Sequence, residues 1–144
     1  MSLSVRPRPR ALRLQREASD VSYPERLELT CVCCPVGCSL VVERISADEA
    51  TYVSGAGCAR GKKYAPAEAT RPERVVTTTV CVPGAAEPLS VRTVAPVPRE
   101  LMAEVVAAAK GAAAGMRAPV AIGDVVLADA CGTGVDVIAT KSVG

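Results

Sequence analysis

The feature of this sequence best suited to chemistry is a group of four cysteines at the spacing C-x2-C-x3-C-x19-C. Three of them lie in one short run and the fourth follows later in the chain: Cys31, Cys34, Cys38 and Cys58. Three thiolates from one tight loop can wrap one face of a compact metal centre, and a distant fourth can close it. The spacing therefore predicts a [4Fe–4S] cluster held by these four thiolates.

Glycines and cations beside these cysteines are predicted to support a bound cluster. Gly37 would let the backbone turn close to the inorganic core, and Gly57 would do the same in the second loop. A cluster with four thiolate ligands is anionic, so nearby cations would offset its charge. The candidate cations follow the fourth cysteine directly: Arg60, Lys62 and Lys63.

Two other kinds of site use the same residue type. Structural zinc sites built from four cysteines usually pair two C-x2-C knuckles, whereas the second half of this motif offers only Cys58. A structural zinc module that assembles oxidoreductase subunits is the main alternative, with Zn²⁺ in place of the cluster. A thiol redox pair, Cys31 and Cys34, is a third reading; it would need an exposed pair of low thiol pKa and no bound metal.

The remaining three cysteines are assigned no role. Cys33 lies between two predicted ligands and is expected to point away from them. Cys81 falls within a β-branched run and is expected to be a small core residue. Cys131 precedes a Gly-Thr-Gly turn, where it could be buried or partly exposed.

The composition argues against several classes of function. The chain has no His, which removes the commonest general base and all mixed Cys/His zinc patterns. It has no Phe or Trp and only three Tyr, so base stacking and nucleic-acid binding are not expected. We therefore expect an electron-carrying or binding module, an accessory subunit of an oxidoreductase and not a catalyst on its own.

The prediction of the cellular setting depends on two features of the sequence, its N-terminus and the length of its apolar runs. The N-terminus is rich in Arg and Pro without an apolar signal segment, and no stretch approaches the length of a membrane span. We expect a cytoplasmic protein. Thiols stay reduced in the cytoplasm, so clustered cysteines there are more often metal ligands than disulfides.

The elements around the cysteines predict a small antiparallel module. Residues 27–30 alternate like a strand entering the first loop, residues 39–45 form the strand leaving it, and residues 51–53 form a return strand. Both loops then lie at one end of the module, which would bring Cys58 toward the first three cysteines. A short helix is expected at 61–69, provided that Pro66 lies in its first turn.

The second half of the chain predicts a hairpin, a helix and two further strands. The β-branched run 75–82 is paired with 89–93 across a Pro83-Gly84 turn, a helix runs from 98 to 114 and ends at Gly115, and strands follow at 120–127 and 135–140. The predicted fold class is α+β. Its expected parts are a disordered Arg/Pro-rich tail (1–24), the cysteine-cluster module (25–71) and a β-α-β module (72–144).

The cysteine motif resembles that of a large enzyme class. Cys31-x2-Cys34-Pro35-x-Gly37-Cys38 followed by Gly57-Cys58-x-Arg60-Gly61 is similar to the N-terminal [4Fe–4S] segment of molybdopterin-dependent oxidoreductases, such as formate dehydrogenases and periplasmic nitrate reductases. This chain has none of the large domains that hold molybdopterin. The resemblance therefore extends only to the cluster segment.

A second resemblance covers nearly the whole chain from about residue 29 onward. It is to a family of small prokaryotic proteins of unknown function, encoded beside FAD-dependent glycerol-3-phosphate dehydrogenase-like and NADH oxidase-like flavoproteins. The resemblance implies an iron–sulfur subunit that works with flavoprotein partners. The segments that carry it, besides the cysteine motif, are Arg60-Gly61-x2-Tyr64-Ala65-x2-Glu68, Pro72-x-Arg74-Val75-x-Thr77-Thr78-Thr79-Val80, Val91-Arg92-Thr93, Pro96-Val97-Pro98, Ala118-Pro119-Val120-x-Ile122-Gly123-Asp124-Val125 and Gly132-Thr133-Gly134-Val135-Asp136-x2-Ala139-Thr140.

Overall fold

A three-stranded antiparallel sheet forms the first part of the computed structural model, which describes residues 22–144. Its strands β1 (Glu25–Thr30), β2 (Ser39–Arg44) and β3 (Ala50–Ser54) are hydrogen-bonded in chain order. All three predicted strands are confirmed, with small differences at their ends. The predicted tail at 1–24 lies outside the described residues except for its last three positions.

Helix α1 (Ala59–Thr70) follows β3 and packs on the sheet through its small residues. Gly61 and Ala65, one turn apart, are its buried positions and lie on one face. The expectation that Pro66 must lie in the first turn is wrong, because the helix continues through it. Pro66 lacks an N–H, so the carbonyl of Lys62 loses its usual partner; Lys62 is exposed, and water can solvate that carbonyl.

The second part of the chain builds a separate antiparallel sheet with one helix. Its elements are β4 (Glu73–Arg74), β5 (Thr77–Val80), β6 (Leu89–Thr93), β7 (Val97–Pro98), α2 (Met102–Ala114), β8 (Val125–Leu127) and β9 (Val137–Ala139). The sheet order is β5-β6-β9-β8, and β4 pairs with β7 alone. Helix α2 contacts β5 and β8 and buries Val105, Ala109 and Ala113, at helical spacing. The predicted α+β class is confirmed.

Four elements of this half are shorter than predicted. The strand expected at 75–82 is confined to Thr77–Val80, and the helix expected from 98 begins with a single 3-10 turn, Arg99–Leu101. The strand expected at 120–127 starts only at Val125, because Gly123 adopts a φ of +91° in a turn. The last predicted strand, 135–140, is confined to β9.

Two separate hydrophobic clusters stabilise the two parts of the chain. The N-terminal cluster consists of Cys31, Leu40, Val42 and Ala65, all buried. The C-terminal core centres on Leu89, Val91, Val97 and Val105, which are at most 1% exposed. The predicted boundary between residues 71 and 72 falls between these clusters. Neither helix in the described part of the chain has the length and apolar character needed to cross a lipid bilayer.

Candidate thiol site

The first three predicted ligands lie on the loop that joins β1 to β2. The backbone N–H of Cys31 donates to the carbonyl of Cys38 at 2.8 Å, which closes the loop at its base. Gly37 has a φ of +63°, a conformation that turns the chain back toward β2 and that other residues rarely adopt. Cys31 is buried, while Cys34 and Cys38 are half-buried.

The second loop, between β3 and α1, comes against the sulfurs of the first. A Cβ on Gly57 would lie 3.5 Å from the Sγ of Cys38, and a Cβ on Gly61 would lie 3.5 Å from the Sγ of Cys31. The backbone N–H of Ala56 donates to the hydroxyl of Tyr52 at 3.0 Å and holds this loop to β3. The chain after β3 therefore lies against the first loop, with Gly57 beside Cys38 and Gly61, in the first turn of α1, beside Cys31.

Gly55 makes this approach feasible, although the sequence analysis gave it no role. Its φ is +98°, and a Cβ there would lie only 1.8 Å from the carbonyl oxygen of Ser39. The chain leaving β3 thus passes directly over the start of β2. The sequence signal for this role is a glycine directly after a predicted strand, at the point where the chain passes close to the neighbouring strand.

Cys33 is half-buried and packs against the hydrophobic cluster that contains Cys31. The expectation that it points away from the predicted ligands stays a prediction. Residues two apart in an extended chain face the same side, which explains why Cys31 and Cys33 face inward while Val32 between them is 69% exposed. Partial burial raises the pKa of the Cys33 thiol, and its contacts with Cys31 raise it further.

Cys58 occupies the N-cap position of α1 and is exposed. Its sulfur makes no capping hydrogen bond of standard geometry, but the backbone N–H groups of Gly61 and Arg60 face it and lower the pKa of the thiol. The side chain of Arg60 acts in the same direction. Together these groups favour the thiolate, the form that binds metals and acts as a nucleophile.

The cations predicted to support the site lie on the first turns of α1. Arg60, Lys62 and Lys63 are all exposed, and none takes part in the ion pairs found among residues 22–144. No acidic residue lies in the first turn of this helix. A helix N-terminus already carries partial positive charge, so the end of α1 is a concentration of positive charge without an acidic partner in its own first turn.

The donor chemistry fits a thiophilic metal centre. All seven cysteines of the chain are free thiols, and five of them lie on the two loops: Cys31, Cys33, Cys34, Cys38 and Cys58. Thiolates favour iron–sulfur clusters, Zn²⁺ and Cu⁺. As the side chains stand, no group of three or more His, Cys, Asp or Glu within residues 22–144 is arranged to hold a metal ion.

The remaining two cysteines are exposed. The prediction that Cys81 is a core residue is wrong, because β5 ends at Val80 and the following residue faces solvent. Cys131 lies in a tight loop with a φ of +56°. Neither belongs to the two cysteine loops.

Comparison with known families identifies the family of this chain but not an activity. The chain belongs to the family described as "Protein of unknown function (DUF1667)", which matches residues 59–141. The match begins directly after Cys58, so it covers α1 and the C-terminal sheet and leaves the five clustered thiols outside. No curated protein and no solved structure matches this chain.

Proposed function

We propose that this protein is a small cytoplasmic iron–sulfur subunit that transfers electrons for a flavoprotein oxidoreductase. One [4Fe–4S] cluster would be held by the four predicted ligands: Cys31, Cys34, Cys38 and Cys58. The observation that carries the proposal is the position of the chain after β3 against the first loop, with Gly57 beside Cys38 and Gly61 beside Cys31. A larger side chain at either glycine would occupy the space beside a sulfur.

The charge around the loops supports an anionic occupant. The N-terminus of α1 presents backbone N–H groups to Cys58, and three exposed cations follow it without an acidic residue in the first turn. Such positive charge stabilises thiolates and anions near a helix N-terminus. A cluster with four thiolate ligands carries net negative charge and would complete this arrangement.

A cluster bound here would accept and release one electron at a time. The chain's own residues would hold it and set its surroundings. Cys31 lies in the N-terminal cluster beside Leu40 and Val42, which shield that side of the site from water. Cys58 lies at the exposed side, where a partner could approach.

The surface beside the thiols suits a transient protein partner. Val32 and Val36, on the first loop, are 69% and 78% exposed, and the exposed cations of α1 follow the second loop directly. We propose that this surface docks an FAD-dependent subunit, glycerol-3-phosphate dehydrogenase-like or NADH oxidase-like, through an apolar centre with an acidic rim. Electron-transfer contacts are typically small, so a few apolar side chains within a charged rim can suffice.

The first test is the metal content of the full chain purified without oxygen. Brown protein with about four iron and about four acid-labile sulfide per chain would support the proposal. Colourless protein with one zinc would support the alternative, a structural zinc module that assembles oxidoreductase subunits. Protein that binds neither metal after anaerobic reconstitution would overturn both.

A further inference from the structure

A cleft separate from the thiol site lies at the junction of the two modules. Its volume is about 750 Å³, and it is lined by the turn between β2 and β3, the end of α1 and the segments around β4 and β7. Cys58 lies at one end of α1 and the cleft at the other, so the 12 residues of the helix put about 18 Å between them. Clefts of this size between domains are common binding sites for small molecules.

The charged side chains that line this cleft are of both signs: Asp48, Arg71, Glu73, Arg99 and Glu100. Asp48 and Arg71 pair at 3.3 Å, but their side chains are 74% and 77% exposed, so water screens the attraction. The other three side chains take part in none of the ion pairs found among residues 22–144. The C-terminal wall of the cleft therefore presents two carboxylates and a guanidinium group that do not pair with one another.

The backbone holds these charges of the C-terminal wall in register. Glu73 lies opposite Pro98 in the pair of β4 with β7, and the N–H of Arg99 donates to the carbonyl of Pro72 at 2.9 Å. The ring of each proline restricts its own φ, which limits movement of this wall. A carboxylate and a guanidinium group are thus fixed on neighbouring segments of one wall without neutralising each other.

We propose that the cleft binds a small zwitterion, a molecule with one ammonium and one carboxylate group, such as a short peptide with free ends. Arg99 would bind the carboxylate, since a guanidinium group can donate two parallel hydrogen bonds to it. Glu73 and Glu100 would bind the ammonium group. A polyanion would meet three carboxylates in this cleft and a polycation would meet two guanidinium groups, so the lining favours a ligand that carries both signs.

The first experiment titrates the full-length protein with di-, tri- and tetra-alanine and follows the NMR chemical shifts of its backbone amides. We expect saturable binding of at least one of these peptides, with the largest shifts at residues 70–73 and 98–100. Acetylation of the N-terminus of that peptide removes its ammonium group, and amidation of its C-terminus removes its carboxylate. Each modification should raise the Kd by about tenfold, because each removes a charge-assisted hydrogen bond.

Variants of the cleft identify which residue binds which end of the peptide. Arg99→Gln should raise the Kd of the unmodified peptide by about tenfold and leave that of the amidated peptide unchanged. The double variant Glu73→Gln with Glu100→Gln should do the same for the acetylated peptide. All three residues are exposed, so these variants should remain folded. Arg92→Gln is the matched control, because Arg92 is an exposed arginine on β6 outside the cleft.

Three outcomes would overturn the inference. One is the absence of saturable shifts with all three peptides up to about 10 mM, a concentration that detects a Kd of about 1 mM. The second is equal binding of the unmodified, acetylated and amidated peptides. The third is an Arg99→Gln variant that binds the unmodified peptide as tightly as the wild type does. None of these outcomes bears on the proposed function, which the metal content of the protein tests separately.

Discussion

Arg74 binds both carboxylate oxygens of Glu68, one from each terminal guanidinium nitrogen, and the Nη1–Oε2 distance is 2.9 Å. The pair joins α1 to β4 across the predicted boundary between the two modules. The side chain of Glu68 is only 13% exposed, whereas that of Arg74 is 36% exposed. Two-point pairs of this kind are stronger than ordinary surface ion pairs, although the exposure of Arg74 lets water screen part of the attraction.

Replacing Glu68→Gln should destabilise the protein by about 1 kcal/mol at neutral pH, because it removes the charge and keeps the shape. Chemical denaturation measures the difference. Glu87→Gln is the matched control, since Glu87 pairs with Lys141 on the surface with a side chain that is 65% exposed. The control should change stability less. Equal effects from the two variants would show that the Glu68–Arg74 pair stabilises the protein no more than a surface ion pair does.

The pH dependence of this difference follows from the pKa of Glu68. Its hydrogen bond with Arg74 lowers that pKa below the value in the unfolded chain. The stabilisation is therefore present above the unfolded pKa, about 4.3, and is lost as pH falls through the folded-state pKa. The stability gap between wild type and Glu68→Gln should shrink when denaturation is repeated between about pH 5 and about pH 3. A constant gap across this range would contradict the assignment.

Gly55→Ala should disrupt the N-terminal module. The new Cβ would lie 1.8 Å from the carbonyl oxygen of Ser39, and the φ of +98° is strained for alanine as well. We expect a loss of more than about 3 kcal/mol, combining overpacking with backbone strain. Gly123→Ala is the control that separates backbone strain from overpacking. The φ of Gly123 is +91°, but nothing lies within 4 Å of the added Cβ. That control should lose only about 1 kcal/mol in thermal unfolding.

Cys58→Ser should remove most of the bound iron while the C-terminal half stays folded. Cys58 supplies the only predicted ligand on the second loop, and its thiolate is favoured by the end of α1. Iron and sulfide analysis of protein purified without oxygen checks this. Cys81→Ser, at an exposed position outside the loops, should retain full iron content. Full iron in Cys58→Ser would mean that the ligand assignment is wrong.

Leu40→Ala should loosen the N-terminal module without opening the C-terminal sheet. Leu40 is fully buried in the small N-terminal cluster, and truncation of such a residue typically destabilises by about 3 kcal/mol. Hydrogen exchange should show faster exchange for amides of β1, β2 and β3 and unchanged protection in β6. Leu89→Ala, equally buried in the C-terminal core, should give the opposite pattern. Equal loss of protection in both halves would show a single cooperative unit.

Reversing charge on α1 should weaken the proposed partner contact. Lys62→Glu with Lys63→Glu removes two exposed cations beside the thiols, whereas Lys110→Glu alters an exposed cation on α2. Copurification with a tagged FAD-dependent subunit of the proposed kind, compared at about 0.05 M and about 0.5 M salt, measures the effect. We expect the double variant to lose the partner at low salt and the control to retain it. Retention by both variants would exclude these lysines from the interface.

The sequence predicted the elements whose patterns are local. Alternation around Leu29 located the strand that enters the first loop, the run that includes Leu40 located the strand that leaves it, and the spacing of Val105 and Ala109 located α2. Errors arose where longer-range structure overrides the local pattern. The turn at Gly123 interrupts an apolar run that is otherwise typical of a strand, and α1 continues through Pro66 while Ala65 packs against Leu40 and Val42 of the sheet.

The direction of the cysteines depends on geometry that spacing alone does not supply. The sequence analysis treated Cys33 as a spacer between two ligands. The extended chain entering the loop puts Cys33 on the same side as Cys31, and that relation follows from the strand β1 that precedes it. The close contact of Gly55 with Ser39 depends on strand pairing between β2 and β3, so it could not be predicted from either segment by itself.

The pairing of β1 with β2 has a consequence for engineering. Six antiparallel residue pairs, from Glu25–Arg44 to Thr30–Ser39, set the register outside the loop, and the hydrogen bond between Cys31 and Cys38 closes its base. Residues 32–37 take no part in these pairs. The exposed positions of this segment, such as Val32 and Val36, can therefore be redesigned in charge and size without altering the strand register.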